Sequence, residues 1–426
     1  MNTTQMASTN STNSLASITG ALGLRATTVV AVLTCYIALC RGLRYLRRDQ
    51  QHLQMPYKIR EDFRKMTAED AWKITKYVQS LEFPWMTKKA LSFALFKTYG
   101  IPSISKLLCE TQQLGKVEYA GRRFADTNIL ISEFLGYSPT SQRCNSAIAR
   151  MNYLHSRYQK ANKISNDDML YTLSLFVMEV ERWVKLYEWR VLTPMEICAF
   201  GTHWKGIGDA MGIDYSSLRH GPESFTDGLE FFEDIKEWAE TYEKEYMVPD
   251  RYNHQLAEET TRILLANAPD ALKPYGQNVV AALMDDRLRK AMMCDNPPPF
   301  YINMVKTVFG VRKFVSRWLL PPRPYAFQVR HVTDDPDPKS GRYFMTEYDS
   351  EPWYIKPTFS MRYSLLAWLR WAAGKPYPNG VGYSPQGYKV FEVGPKKLEG
   401  HGLDECEATR DRLMGSDRGR CPFAFS

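Results

Sequence analysis

No two cysteines in this 426-residue chain stand at metal-binding or redox spacing. The eight, at positions 35, 40, 109, 144, 198, 294, 406 and 421, form no CxxC, which argues against a zinc site, a thioredoxin-like motif and a disulfide framework alike. Free thiols are expected. The CxxCH attachment signature of c-type haem and a P450-like cysteine loop are also missing, so a cofactor held through cysteine is not expected. Histidine is scarce, with seven copies, none of them in HxH or HExxH. There is no GxSxG elbow, no P-loop and no GxGxxG, which removes the simplest hydrolase, nucleotide and dinucleotide readings. Lys and Arg outnumber Asp and Glu, 55 to 47, but part of that excess is the local cluster Arg41, Arg44, Arg47 and Arg48. No basic stripe alternates with aromatics, so no nucleic-acid partner is expected.

What the chain does have is apolar and aromatic mass. It is 44% hydrophobic and 13% aromatic, enough for a sizeable core and suited to a pocket for a large flat or apolar ligand. Residues 1–24 are rich in Ser, Thr and Asn and lack Lys and Arg. An uncharged run from Ala26 to Cys40 follows, then the arginine cluster. A membrane span of about 20 residues is reached if Arg41 and Arg44 snorkel, giving an anchor at 25–46. The positive-inside rule leaves 1–24 as a lumenal tail and the bulk of the chain cytosolic. Two glycosylation sequons, at Asn2 and Asn10, fall on the translocated side. A cleaved signal peptide fits less well, because the positive charge follows the apolar run.

From 66 to 290 the periodicity is helical. Thr67 with Asp70 three residues on marks one start, and Thr193-Pro194 with Glu196 marks another. Asn145 is a candidate cap for the run through His155, and Ser165 or Asn166 for the next. Further helices are expected at 222–246, 254–268 and 277–292. After Pro297 the texture turns to Pro- and Gly-rich loop chemistry, with a short amphipathic helix in SMRYSLLAWLRWAAG. The expectation is a mainly α fold: a helical domain at 60–295 and a loop-rich extension at 296–426 packed on it.

Few residues are placed to carry chemistry. HGPE at 220–223 has ligand spacing but sits in a loop, and TDDPDP at 333–338 has the aspartates of a magnesium–diphosphate site but in a Pro-rich turn. His155, in ARMNYLHSRY, and His203 sit on helices. A lone helical histidine is more often packed core than ligand. Arg123 and Thr127, four apart, share one helix face, and Thr172 follows on another helix. A histidine opposite such a face could frame a porphyrin, but the residues alone leave core and ligand roles both open.

The blocks RRFADT, RMNYLHSRY, ISNDDMLYTLSLF, EWRVLTPMEICAF and HWKGIGDAMGI, in this order, resemble the catalytic domain shared by bacterial latex-clearing rubber oxygenases and fungal endoplasmic-reticulum-bound oxygenases, including that of mycophenolic acid biosynthesis. The resemblance spans about residues 95–290. It implies a globin-like helical core holding haem b, with dioxygen as co-substrate. It also implies cleavage of a carbon–carbon double bond in a prenyl chain, in the fungal case the farnesyl chain of a phthalide. By the same resemblance His155 is the proximal iron ligand, Arg123 and Thr127 are distal residues, Thr172 lies near the haem edge, and Glu110 is a loosely matched distal base. Asp126 stands where bacterial members have lysine, and Asn152 where they have arginine. His203 has no ligand role in the resemblance. A prenyl–diphosphate enzyme and a membrane-tethered scaffold are the competing readings.

Overall fold

Capping chemistry decides where most of the helices begin. The computed structural model describes residues 5–111, 117–221, 225–266, 268–372, 374, 376 and 381–423. A long helix, α1 (Gln5–Gln54), leads into α2 (Ala68–Tyr77), whose cap is Thr67, its hydroxyl accepting from the Asp70 amide at 3.1 Å. Helices α3 (Pro84–Thr98) and α4 (Pro102–Glu110) each open on proline, which fits the first turn because its missing N–H has no partner there anyway. Then come α5 (Val117–Gly136) and α6 (Gln142–Lys160). The cap of α6 is Ser141, four residues ahead of the Asn145 expected from sequence; Asn145 is instead buried inside the helix and donates to Pro139 O and Ser141 O. Ser165 caps α7 (Asn166–Tyr187), and Thr193 with Glu196 forms a full capping box on α8 (Pro194–Met211).

Helix α7 is the middle of the core. Its residues are buried almost without a break from Asp168 to Val180, the pattern of a helix surrounded by others. It lies along α3 on one side and against α8 and α9 (Gly228–Tyr246) on others. Where α8 crosses α9, Gly201 and Gly228 bring the backbones into contact: a Cβ on Gly201 would stand 1.9 Å from the Gly228 carbonyl oxygen. The run expected as one helix at 277–292 is broken into α11 (Lys273–Leu283) and α12 (Asp286–Ala291), after α10 (Arg251–Leu264). Asp285 recaps the chain at the break.

The C-terminal part carries more helix than its Pro and Gly content indicated. Besides short α14 (Phe359–Tyr363) and α15 (Leu365–Ala372), it holds the 20-residue α13 (Pro299–Trp318) and the 13-residue α16 (Leu403–Gly415). Three isolated β-bridges occur, and no longer strand among the described residues. This segment packs on α5 and α6 through buried polar contacts: Arg150, fully buried, donates to the carbonyls of Val393, Leu398 and His401. Tyr388 donates to Glu133 at 2.5 Å. The fold is mainly α, as the periodicity predicted.

Candidate active site

Three helices deliver four of the expected residues to one cavity. Arg123 and Thr127 come from α5, His155 from α6 and Thr172 from α7, and all four line the same space, closed further by α3, α4, α8 and α10. The cavity is about 220 Å³, far beyond the roughly 10–15 Å³ that one water needs. It is therefore a chamber and not a packing defect. Its walls are mostly apolar, and the parallel stack of Phe176 on Trp204, centroids 4.8 Å apart, makes an aromatic floor with Phe134 edge-on.

His155 is half-buried because part of its ring faces this chamber, while its Nδ1 is buried and has no hydrogen-bond partner among the described residues. Burial first, and the positive charge of Arg123 second, pull its pKa from 6.5 down to about 4. The imidazole is therefore neutral at physiological pH, the form that ligates a metal. His203 is a useful contrast. It too is buried, neutral and short of a partner at Nε2, held down to about 3 by burial and then by Arg418. It does not line the chamber; it packs beside Trp204 with ring centroids 6.1 Å apart.

Arg123 and Thr127 form a closed unit. The guanidinium donates to the Thr127 hydroxyl, which donates in turn to the Arg123 carbonyl at 3.0 Å. No carboxylate pairs with Arg123 among the described residues, so its charge faces the chamber. Asp126 does not serve it. That carboxyl accepts from Tyr354 at 2.7 Å, stands 3.9 Å from Arg122, and feels Arg123 through charge without a hydrogen bond to it. Thr172 uses its hydroxyl proton on the Asp168 carbonyl at 2.8 Å, leaving its lone pairs toward the cavity.

Glu110 is not brought to this group. It lies exposed at the end of α4, 3.3 Å from Lys163, and it does not line the chamber. A carboxylate that does is Asp168, which accepts from Ser103 at 2.6 Å and Tyr242 at 3.2 Å. Sequence reasoning also passed over Tyr99, a buried phenol on the cavity wall pushed up to about 12 by burial. Trp204, whose buried Nε1 lacks a partner among the described residues, lies in the HWKGIGDAMGI block, to which the resemblance gives no role. Nothing in the spacing of these residues marks them. Asn152 donates to the Ala210 carbonyl at 2.9 Å and so joins α6 to α8.

The lining of the chamber fits a haem, which His155 would hold. It offers a neutral imidazole, the Arg123 guanidinium with no carboxylate partner among the described residues, and apolar walls. The competing sites fare worse. Asp334 pairs with Arg330, and Asp337 pairs with Lys356 and closes its own turn. His220 pairs with Asp234 at 2.8 Å, while Glu223 of the same motif lies outside the described residues. Among the described residues no group of three His, Cys, Asp or Glu side chains is placed to hold a metal ion. No disulfide joins any of the eight cysteines, in line with their spacing. A more polar cleft shares Ser92, Leu95 and Ile131 with the chamber, but its Lys88 and Arg330 are already paired with acids. At the N-terminus, α1 holds one stretch long and apolar enough to cross a membrane, from Arg25 onward. Of the two sequons, Asn10 falls within α1 and Asn2 lies outside the described residues.

No family model matches the chain. Individual relatives do. It is 42% identical over 397 residues to the ER-bound oxygenase mpaB' of Penicillium brevicompactum, covering 93% of this chain and 94% of that protein. The ER-bound oxygenase mpaB of the same organism is 38% identical over 87% of this chain and 88% of its own length. The mpaB of Penicillium roqueforti (strain FM164) is 45% identical over 62% of this chain and 89% of its own.

Proposed function

The chain belongs to the family of ER-bound oxygenases represented by the mpaB proteins, and on that footing we propose that it uses haem b and dioxygen to cleave a carbon–carbon double bond in a prenyl chain. The substrate is a prenylated aromatic, such as the farnesylated phthalide of mycophenolic acid biosynthesis. The observation that carries this reading is the neutral His155 imidazole, with its buried unused Nδ1, on the wall of a large apolar chamber that also receives the Arg123–Thr127 pair. A buried polar atom without a partner is costly unless something else takes it up.

His155 would hold the haem iron, and Thr172 would lie at the macrocycle's edge. The bound haem supplies the redox chemistry that activates dioxygen. The chain's own residues do the rest. Apolar walls take the prenyl chain and exclude water. The Arg123 guanidinium, pre-set by Thr127, supplies a charge-assisted donor for an oxygen atom in the chamber. Helix α1 anchors the enzyme in the endoplasmic reticulum membrane, with the N-terminus lumenal and the body cytosolic, so that it meets a substrate that partitions into lipid.

Pyridine haemochrome analysis of protein from haem-supplemented cells tests this. Wild type and His203→Ala should carry haem with a Soret band, and His155→Ala should be folded, membrane-bound and nearly colourless. A colourless wild type, or haem lost from the His203 variant and kept in the His155 variant, would overturn the assignment.

A further inference from the structure

Helix α13 has one face that the protein uses and one that it leaves bare. On the inner face Val305 is buried, Phe309 stacks on Tyr187 with centroids 4.2 Å apart, and Arg312 pairs with Glu188 at 2.7 Å. On the outer face Val308, Val311 and Phe314 are 59%, 58% and 57% exposed. Their spacing of three keeps them on one stripe of the helix. The helix also carries Lys306, Arg312, Lys313 and Arg317 and no acidic residue. A face in water is ordinarily polar. Apolar residues flanked only by cations are the composition of a helix lying at a lipid–water boundary.

The neighbour of α13 says what covers it. Its C-terminal end abuts α1: the Tyr36 hydroxyl donates to the Leu319 carbonyl at 2.9 Å, Arg41 lies 4.9 Å over the Trp318 ring, and Arg44 donates to the Leu320 carbonyl at 2.7 Å. Before this junction α1 is bare, with Val29, Val30, Val32 and Leu33 all exposed, and this is the apolar stretch of membrane-spanning character. The stripe on α13 thus starts at the level where α1 leaves the protein body, and Tyr36, Trp318 and Arg41 gather there as they do at membrane interfaces.

We infer that the outer face of α13 over residues 308–314 is a second membrane contact, with Val308, Val311 and Phe314 set between the phospholipid headgroups and the upper acyl chains. The exposed Lys306 reaches toward anionic headgroups. One spanning helix alone leaves the body free to swivel; a second contact fixes which face of the catalytic body meets the bilayer. The inference rests on α1 as the anchor and not on haem.

Site-specific photo-crosslinking in the full chain tests it, in vesicles of phosphatidylcholine with a minority of phosphatidylserine. Benzoylphenylalanine replaces Val311 or Phe314, with Leu33 in the span as the positive control and Phe309 on the inner face as the negative one. Adducts to phospholipid are expected at 33, 311 and 314 and not at 309. Lipid adducts at 33 with none at 311 and 314, or adducts there to another polypeptide, would overturn the proposal. The readout needs no turnover, so a protein without haem that still gives lipid adducts at 311 and 314 would refute only the haem reading.

Discussion

Tyr354, from the C-terminal segment, donates its hydroxyl to Asp126 on α5 across 2.7 Å, and both residues are buried. Burial is the leading cause that raises the Asp126 pKa from 3.8 to about 6, with Tyr354 and Arg122 opposing. The sign follows. A carboxyl that holds its proton more tightly when folded favours folding at low pH, and that advantage is lost as pH rises from about 4 to about 6. A displacement of that size is worth on the order of 2–3 kcal/mol. Asp126→Asn keeps a carbonyl for Tyr354 and has nothing to ionise. The variant should gain on wild type across pH 4 to 6 and stay ahead at pH 7, in melting temperatures read through that range. Parallel curves would refute the buried-acid assignment.

The Arg123–Thr127 pair faces the chamber without a carboxylate partner among the described residues. Arg123→Ala therefore strands no buried anion and should fold normally. If Arg123 orients an oxygen atom, the variant keeps most of its haem while turnover of a farnesylated substrate falls about 100- to 1,000-fold, the usual cost of losing one preorganised donor. Thr127→Val should cost less. Soret absorbance per protein, measured beside turnover, decides it: parallel loss of both would reduce Arg123 to a haem-anchoring group.

Glu196 holds Arg190 with two hydrogen bonds, at 2.7 and 2.8 Å, and accepts from the Thr193 amide at 2.8 Å. Although burial works the other way, these partners, Arg190 foremost, hold its pKa down at about 2 from the usual 4.5. Here the stabilisation is present above pH 4.5 and fades as pH falls toward 2. Glu196→Ala should cost about 3–5 kcal/mol, because it leaves a buried guanidinium with Glu82 as its one remaining carboxylate among the described residues, beside the Val191 carbonyl. Denaturant unfolding at neutral pH measures it; a loss below about 1 kcal/mol would mean that Glu82 alone satisfies Arg190.

Gly201→Ala probes the α8–α9 crossing. Its Cβ would meet the Gly228 carbonyl, a backbone atom that cannot swing aside. Overpacking of this kind costs about 1–3 kcal/mol or more. The variant should show a lower melting temperature and, since α8 carries Trp204 into the chamber wall, reduced haem retention. Gly206→Ala on the same helix meets nothing within 4 Å and should be neutral. Equal behaviour of the two would refute the close crossing.

The sequence by itself determined most of the helices and the family. Caps such as Thr67, Ser165 and the Thr193–Glu196 box are local chemistry, settled within four residues, and so they were legible. The order of five blocks around His155 was legible for the same reason: it is a linear pattern. Other features arise only when distant segments meet. The Asn145 side chain suits a cap, but the turn at Ser138–Ser141 starts the helix earlier. Helix α13 was hidden by flanking prolines, and its inner face is defined by Tyr187 and Glu188, more than 120 positions away. Tertiary structure alone separated two neutral histidines, setting His155, half-buried, on the chamber wall and His203, buried, beside Trp204. It also turned Arg123 toward the chamber and Asp126, three residues along, toward Tyr354. Which way a side chain points follows from the helix; what it meets there depends on packing between segments far apart in the chain.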